Sequence, residues 1–209
     1  MDDLDDDRFS PLTESELVRG FGCGGAPPHN GWKAIVPIPD GVRLPDLLVK
    51  KCCPSGYSIR SAWRYRTPTG GVSGFVVRYD EPGTDWKKFK PFTYCESAAG
   101  KREWRCRGMP EPRPLFNLDL LAAKPDAPVL VCEGEKSTAR AARIFPESVC
   151  LTSAGGSQAA AKTDWSPLAG RRAMIWPDAD VPGSKYADAV AAILHEHGCE
   201  VSIIDAVAL

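Results

Sequence analysis

The chain has 209 residues, a formal net charge of −1 and an ordinary hydrophobic content of 43%. No apolar run approaches the roughly 20 residues that a membrane-spanning helix needs. The first residues, MDDLDDDRFS, are acidic, which is the opposite of a secretory signal. These features argue against a membrane protein and predict a cytoplasmic chain of one large or two small domains.

The charges are unevenly distributed along the chain. Residues 1–9 carry five acidic and one basic side chain, residues 60–113 carry six acidic and twelve basic, and residues 128–209 carry ten acidic and seven basic. A basic segment suits a polyanion, and an acidic segment suits a metal cation. The pattern is consistent with one part that holds a polyanion and another that holds a metal.

Residues 1–60 are interpreted as an acidic tail followed by a poorly defined N-terminal region. Residues 1–9 are expected to be disordered. Thr13, with Glu16 three residues later, is typical of the start of a short helix that ends at Gly20. The rest of this region is rich in Gly and Pro and gives little signal, apart from one extended stretch at WKAIVPIP.

The chain has eight cysteines, and four residues are candidate zinc ligands: Cys23, His29, Cys52 and Cys53. Their spacing fits no common zinc pattern, and the chain contains no C-x-x-C pair. Buried or surface thiols are the simpler interpretation, so zinc is not expected as a cofactor.

Residues 61–127 are predicted to form a small, basic, β-rich α+β subdomain. SAWRYRTPTGGVSGFVVRYD alternates around a Thr-Gly-Gly turn and predicts a β-hairpin, and WKKFKPFTY and REWRCRG predict further strands with basic faces. PRPLFNLDLLAAKPDAP then predicts a turn and a short helix. Trp63, Trp86 and Trp104 lie among basic residues, where stacking on bases is one interpretation and core packing is the favoured one.

Residues 128–209 are predicted to form an α/β domain with a parallel sheet. The strands are PVLVC, SVCLT, RAMIW and EVSIID. The helices are EKSTARAARIF, one that follows the SAGGSQAAAK loop, and the amphipathic SKYADAVAAILHEHG. Short apolar strands that alternate with helices imply right-handed crossovers between parallel strands.

Three carboxylates follow strands of this predicted sheet. Glu133 comes after the first strand, and Asp178 and Asp180 come after the third. Carboxyl ends of parallel strands meet at one edge, so these side chains are expected to converge. They would repel one another unless a cation lay among them, and oxygen ligands without nearby His or Cys favour Mg²⁺ or Mn²⁺. The implied chemistry is metal-assisted attack at phosphorus.

These residues resemble the Toprim domain, a Rossmann-like parallel sheet with flanking helices found in bacterial-type primases, topoisomerases, recombination proteins and some nucleases. The resemblance is carried by Glu133-Gly134, by the Gly155-Gly156 turn, and by Asp178-x-Asp180 with Gly183, each at its expected strand end. It implies that Glu133, Asp178 and Asp180 are catalytic and bind the metal.

The segment before the predicted sheet resembles the basic N-terminal subdomain of the same primases. GGVSGFVVR, KKFKPFTY and LFNLDLLA occur in that order before VLVCEGE, and the whole stretch 61–205 is similar to the primase modules of phage and mobile-element primase–helicase proteins. The resemblance implies a primase core that binds single-stranded DNA and ribonucleoside triphosphates and works with a replicative helicase. The residues expected to contact nucleic acid or nucleotide are Arg78, Lys88, Lys87, Lys90, Lys136, Gly155 and Gly156.

The sequence also departs from the primase pattern. The zinc-ribbon cysteines and a P-loop are missing, and the acidic positions that usually follow the last Toprim strand are represented at most by Asp205. Two alternatives therefore stay open: a Toprim nuclease, in which water attacks, and a non-catalytic DNA-binding or loading module. Simpler interpretations also exist for single residues, since Glu133 is favourable at a helix N-terminus and Asp178 and Asp180 suit a turn.

Overall fold

The computed structural model describes residues 31–156, 159–206 and 208, and it divides into two compact units. Of the described residues, the first unit comprises 31–64 together with Val72–Met109, and the second comprises Tyr65–Gly71 and those from Pro110 onward. The predicted acidic tail, the predicted helix at Thr13, and Cys23 and His29 lie outside the described residues. Cys52 and Cys53 are described, and none of the cysteines in the described ranges forms a disulfide.

The first unit is built on a five-stranded antiparallel sheet. Its strands follow the order β2-β3-β4-β1, with β5 also paired to β4. The elements are β1 (Trp32–Ala34), α1 (Asp46–Lys51), β2 (Ser58–Arg66), β3 (Val72–Asp80), β4 (Lys87–Ser97) and β5 (Arg102–Arg105). The predicted hairpin and both predicted basic strands are confirmed, whereas the predicted extended stretch WKAIVPIP is a strand only at its first three residues, β1.

The core of the first unit lies between one face of this sheet and α1. Leu48 and Val49 of α1 are buried against Val77, Tyr79 and their neighbours in one apolar cluster. The Tyr79 hydroxyl donates a hydrogen bond to the carbonyl of Val49 at 2.9 Å, which fixes the helix on the sheet. Such burial stabilises a six-residue helix that is too short to form by propensity alone.

The favoured core interpretation of the tryptophans is confirmed for two of the three. Trp104 and Trp63 are buried, whereas Trp86 keeps 71% of its surface exposed.

The second unit contains the predicted parallel sheet. Its elements are β6 (Leu115–Phe116), α2 (Leu118–Ala123), β7 (Val129–Cys132), α3 (Glu135–Ile144), β8 (Val149–Ser153), β9 (Arg172–Trp176), α4 (Val181–Glu196) and β10 (Glu200–Ile203). The strand order is β10-β9-β7-β8-β6. The four strands from β7 to β10 are parallel, and β6 joins the edge antiparallel to β8.

In this part of the chain the first unit ends at Met109 and the second begins at Pro110, whereas the predicted domain boundary is at 127/128. The physical reason is that β6 and α2 pack with the second sheet: Leu115 pairs with Ser153, and Leu118 and Leu121 belong to the core cluster of that unit. The two-residue strand β6 is too short to leave a recognisable alternation in sequence.

The loop after β8 differs from its prediction. In place of a full helix, the described part forms one 3-10 turn at Ala160–Lys162 and another at Ser166–Leu168. Buried Trp165 explains the difference, since its indole N–H donates to the carbonyl of Ala160 at 2.9 Å and holds the chain in a compact turn. Among the helices of the described ranges, none is long and apolar enough to cross a membrane.

Candidate functional site

The second sheet has a topological switch point at β7. From β7 the chain crosses through α3 to β8 on one side, and the next strand, β9, lies on the other side of β7. The connections on the two sides therefore leave β7 in opposite directions, which opens a crevice at the carboxyl ends of β7 and β9. Open α/β sheets bind ligands in such a crevice.

Glu133 and Asp178 leave the two strands that border this crevice. Cys132 pairs with Trp176, so Glu133 follows one strand by one residue and Asp178 follows its neighbour by two. Glu133 is half-buried, with its Oε2 atom removed from solvent, and Asp178 is exposed. Burial raises the pKa of the Cys132 thiol to about 12, with the neighbouring Cys150 and the charge of Asp178 contributing in the same direction.

Asp180 is the N-cap of α4. Its Oδ1 atom accepts a hydrogen bond from the backbone N–H of Gly183 at 2.7 Å. One carboxylate oxygen of Asp180 therefore caps the helix, while the side chain as a whole is exposed. The N-terminus of α4 also carries the positive end of the helix dipole, which favours a carboxylate there.

Gly183 is required by the close approach of α4 to the loop that carries the two aspartates. A Cβ atom at this position would overlap with the carbonyl oxygen of Asp178 and would lie 3.0 Å from the backbone nitrogen of the same residue. Any other residue would therefore push the first turn of the helix away from that loop. The glycine fixes where Asp178 and Asp180 leave the sheet.

Tyr186 of α4 forms hydrogen bonds with the ends of two strands at the same edge of the sheet. Its hydroxyl lies 3.1 Å from Ser153 Oγ, at the end of β8, and donates to the carbonyl of Cys132, at the end of β7, at 3.4 Å. One buried side chain of α4 thus contacts the ends of two strands. Burial raises the pKa of the Tyr186 hydroxyl, and the charge of Glu133 adds to the shift.

A second buried tyrosine supports the turn that follows Glu133. Tyr65 donates a hydrogen bond to Glu135 Oε1 at 2.8 Å, and both residues are buried. Glu135 is the first residue of α3, and its burial raises the pKa of its carboxyl group. Sequence reasoning missed both residues; the second acid of the stretch CEGEK was the available signal for Glu135.

The Gly155-Gly156 turn lies at the end of β8, and both glycines have positive φ, +114° and +71°. Arg113 Nη1 donates to the carbonyl of Ala154 at 3.1 Å and lies 2.7 Å from the position that a Cβ of Gly155 would occupy. The turn is therefore packed against Arg113, a cation that sequence reasoning did not single out. A turn role for the two glycines is confirmed, and their contact with nucleotide stays a prediction.

The four basic residues predicted on β3 and β4 do not share one face. Arg78 pairs with Phe89 and Asp80 pairs with Lys87, which places these side chains on one face of the sheet. Lys88 and Lys90 alternate with them and lie on the other face, where Lys88 Nζ sits 4.9 Å from the centre of the Tyr57 ring.

Arg78 is already paired in the structure. Its guanidinium donates two hydrogen bonds to Asp80, at 2.5 and 3.0 Å. A phosphate that binds Arg78 would have to compete with that carboxylate. In the second unit, Lys136 is exposed near the start of α3.

The donor set at the crevice fits a hard divalent cation. Within the described ranges no three His, Cys, Asp or Glu side chains lie close enough to hold a metal by themselves. Mg²⁺, however, is usually held by one or two carboxylates together with waters and substrate phosphates. Glu133 and Asp178 supply oxygen atoms of that kind at the ends of β7 and β9, and their binding of a cation stays a prediction.

No family model matches the chain, and no curated protein matches it significantly. Among solved structures, the chain is similar to the crystal structure of the Aquifex aeolicus primase that comprises its zinc-binding and RNA polymerase domains. The identity is 18%, the TM-score is 0.46, and the match covers 69% of this chain and 33% of that chain. The matched region thus spans about a third of the Aquifex chain.

Proposed function

We propose that the chain is the catalytic core of a Toprim-type DNA primase, which joins ribonucleotides on a single-stranded DNA template by metal-dependent nucleotidyl transfer. The observation that carries the proposal is the placement of Glu133 and Asp178 at the ends of adjacent parallel strands, at the switch point of the sheet. The order of the sequence motifs adds support, because the basic hairpin and strand precede this sheet as they do in the primases that the sequence resembles.

Each acidic residue has a part in the proposed reaction. Asp178 and Asp180 would hold Mg²⁺ or Mn²⁺, with Glu133 as a further ligand or as the general base. When bound, the metal supplies charge neutralisation at the triphosphate and activation of the primer 3′-hydroxyl. Glu133 suits the role of base because it is half-buried beside the exposed Asp178, so that its carboxylate is partly shielded from water.

The basic strands of the first unit are the proposed binding surface for template and nucleotide phosphates. Lys87 and Lys88 are exposed, and Arg78 and Lys90 are half-buried on the same two strands. Contacts of this kind release counterions, so DNA affinity should fall steeply as the salt concentration rises.

The setting of the protein is proposed from the resemblance alone. The chain would act in the cytoplasm, as part of a phage or mobile-element replication protein, together with a replicative helicase or helicase domain.

The test is primer synthesis on single-stranded DNA with labelled ribonucleotides and Mg²⁺ or Mn²⁺. Wild type should give short labelled products, and Asp178→Ala should give none. Asp188→Ala is the matched control, because Asp188 is an exposed acid of α4 away from the strand ends, and it should retain activity.

A lane without nucleotides separates the alternatives. Cleavage of the template in that lane would favour the nuclease. DNA binding without synthesis or cleavage would overturn the catalytic proposal in favour of a binding module.

A further inference from the structure

The start of β4 presents an exposed segment in which aromatic and basic residues alternate. This segment, Trp86–Lys90 (sequence WKKFK), is called the β4 edge segment below. Trp86 is 71% exposed and Phe89 is 45% exposed, although both are large apolar side chains. Lys87 and Lys88 are exposed between them. An exposed indole beside cations is a surface on which an unpaired base can stack.

Among the residues that the structure describes, no strand pairs with one side of the β4 edge segment. β3 pairs with β4 from Lys87 to Phe92, whereas β5 and β1 pair with β4 only from Thr93 onward. The segment carries three lysines on its two faces, and charged side chains on an edge strand are a common device against pairing with a second protein chain. The same lysines attract a polyanion, so the charge favours nucleic acid over another strand.

Trp86 is held in place by its backbone. Its N–H donates to Thr84 Oγ1 at 3.1 Å, and its carbonyl accepts from the N–H of Glu81 at 3.0 Å. The Thr84 hydroxyl also lies 3.0 Å from Glu81 Oε2. The turn therefore presents the indole from a fixed position, which reduces the entropy lost when a ligand stacks on it.

The two aromatic side chains occupy different faces of the strand. Phe89 lies on the Arg78 face and stacks against Trp63, with ring centres 6.3 Å apart and planes 24° apart. Trp86 comes one residue before β4, and its carbonyl still accepts from the N–H of Glu81, so the alternation of an extended chain is expected to place its ring on the face of Lys88. Each face thus combines one aromatic ring with at least one lysine.

The acidic residues near the segment only partly offset its lysines. Asp80 is bound by two guanidinium nitrogens of Arg78, Glu81 accepts the Thr84 hydroxyl, and Asp85 is exposed next to Trp86. The three lysines of the segment outnumber Glu81 and Asp85, so the segment keeps a local excess of positive charge for a ligand phosphate.

We propose that the β4 edge segment binds unpaired bases of a single nucleic acid strand, with Trp86 stacking on one base and Lys87 and Lys88 contacting the adjoining phosphates. Stacking needs a base that has left the duplex, so the segment should discriminate single-stranded from double-stranded DNA. The inference rests on the proposed function for its choice of ligand, and it extends that function from phosphate contacts to the bases themselves.

The test is the fluorescence anisotropy of a labelled oligo(dT) titrated with the full chain, in EDTA and without nucleotides. Trp86→Ala should weaken binding about 5- to 150-fold, the range that one stacked base supplies. The loss should not change the slope of affinity against salt concentration, because no charge is removed. Lys87→Ala and Lys88→Ala should each lower that slope by about 0.7.

Two controls make the result specific. Trp86→Phe keeps an aromatic face and should retain most of the affinity. Met174→Ala removes an exposed apolar side chain of the second unit, as exposed as Phe89, and should leave DNA binding unchanged. An oligonucleotide with abasic sites should bind wild type and Trp86→Ala alike, which would assign the lost affinity to a base rather than to the sugar–phosphate backbone.

Three results would overturn the inference: unchanged affinity of Trp86→Ala, an equal loss on the abasic oligonucleotide, or an altered sedimentation coefficient that shows the segment pairing with a second copy. Because the assay contains no metal or nucleotide, a failure of primer synthesis leaves its outcome unaffected. A failure here leaves the crevice and its catalytic proposal to be tested separately.

Discussion

Tyr65 and Glu135 lie 70 residues apart in sequence, yet the tyrosine hydroxyl donates to the glutamate carboxylate at 2.8 Å. Tyr65 has no exposed surface, and Glu135 keeps only 5%. Glu135 opens α3 two residues after Glu133, so the hydrogen bond restrains the turn that leads out of the candidate site. A buried polar pair of this kind specifies one conformation because neither partner has solvent as an alternative.

Removing the hydroxyl of this pair should be costly. Tyr65→Phe leaves a buried carboxylate oxygen without its donor, and we expect a loss of about 1–3 kcal/mol in the free energy of unfolding. Urea denaturation of the variant measures the loss. Tyr94→Phe changes a half-buried tyrosine of the first unit and is the control. Equal stability of Tyr65→Phe and wild type would show that the hydrogen bond contributes nothing.

Glu135 should make stability depend on pH. Burial raises the pKa of its carboxyl group in the folded state, so its contribution is fully present below the pKa of the unfolded state, about 4.3, and is lost as the pH rises through the folded pKa. Glu135→Gln has no carboxyl group to ionise, so its free energy of unfolding should not fall in this way. As the pH rises, the free energy of unfolding of the variant relative to wild type should increase by about 1.4 kcal/mol for each unit by which folding raises the pKa of Glu135.

Urea denaturation at pH 3.5, below the unfolded pKa, and at pH 8 measures this effect. Glu147→Gln, an exposed change in the same unit, should show no such trend. A difference between Glu135→Gln and wild type that stays constant with pH would contradict the prediction.

The parallel sheet was predictable because its strands are short apolar runs and its helices have clear 3.6-residue periodicity. The positions of Glu133 and Asp178 at one edge followed from that prediction together with the rule for parallel strands. The antiparallel hairpin was predictable from its alternation and its Gly turn. These signals are local, so a single sequence is enough to carry them.

The features that the sequence did not predict depend on contacts between distant segments. The partners of Glu135 and Arg113 lie 70 and about 40 residues away, and no local pattern indicates them. The opposite faces of Arg78 and Lys88 follow from the register between β3 and β4, which a one-residue shift would reverse. The second unit begins at Pro110, earlier than the predicted boundary at 127/128, because β6 pairs with β8. With only two residues, β6 leaves no pattern in the sequence that would have indicated this pairing.

Gly183 and Gly134 allow a matched comparison, since each lies near the start of a helix at the candidate site. Gly183→Ala would bring a Cβ into overlap with the Asp178 carbonyl oxygen, whereas a Cβ on Gly134 meets no atom within 4 Å. We expect Gly183→Ala to lose at least ~2 kcal/mol and Gly134→Ala to change by less than ~0.5 kcal/mol. Thermal unfolding measures both, and similar values for the two would contradict the close approach of α4 to the aspartate loop.

Two substitutions of Asp180 distinguish its role as a helix cap from a role in binding a cation. Asp180→Ala removes the acceptor for the Gly183 N–H and should cost about 1 kcal/mol of stability, as loss of an N-cap does. Asp180→Asn keeps an oxygen acceptor and should retain nearly all of that stability. If the second oxygen binds a cation, both variants should lose primer synthesis. An active Asp180→Asn would leave this residue as a helix cap only.

In the proposed site, Asp178 and Asp180 hold a divalent cation at the switch point of the sheet. Mn²⁺ binding tests this by electron paramagnetic resonance in the presence of ATP, with wild type, Asp178→Asn, Asp180→Asn and the control Asp188→Asn. We expect at least tenfold weaker Mn²⁺ binding for the first two variants and unchanged binding for the control. Equal Mn²⁺ affinity in all four proteins, or no binding above that of ATP alone, would contradict this expectation.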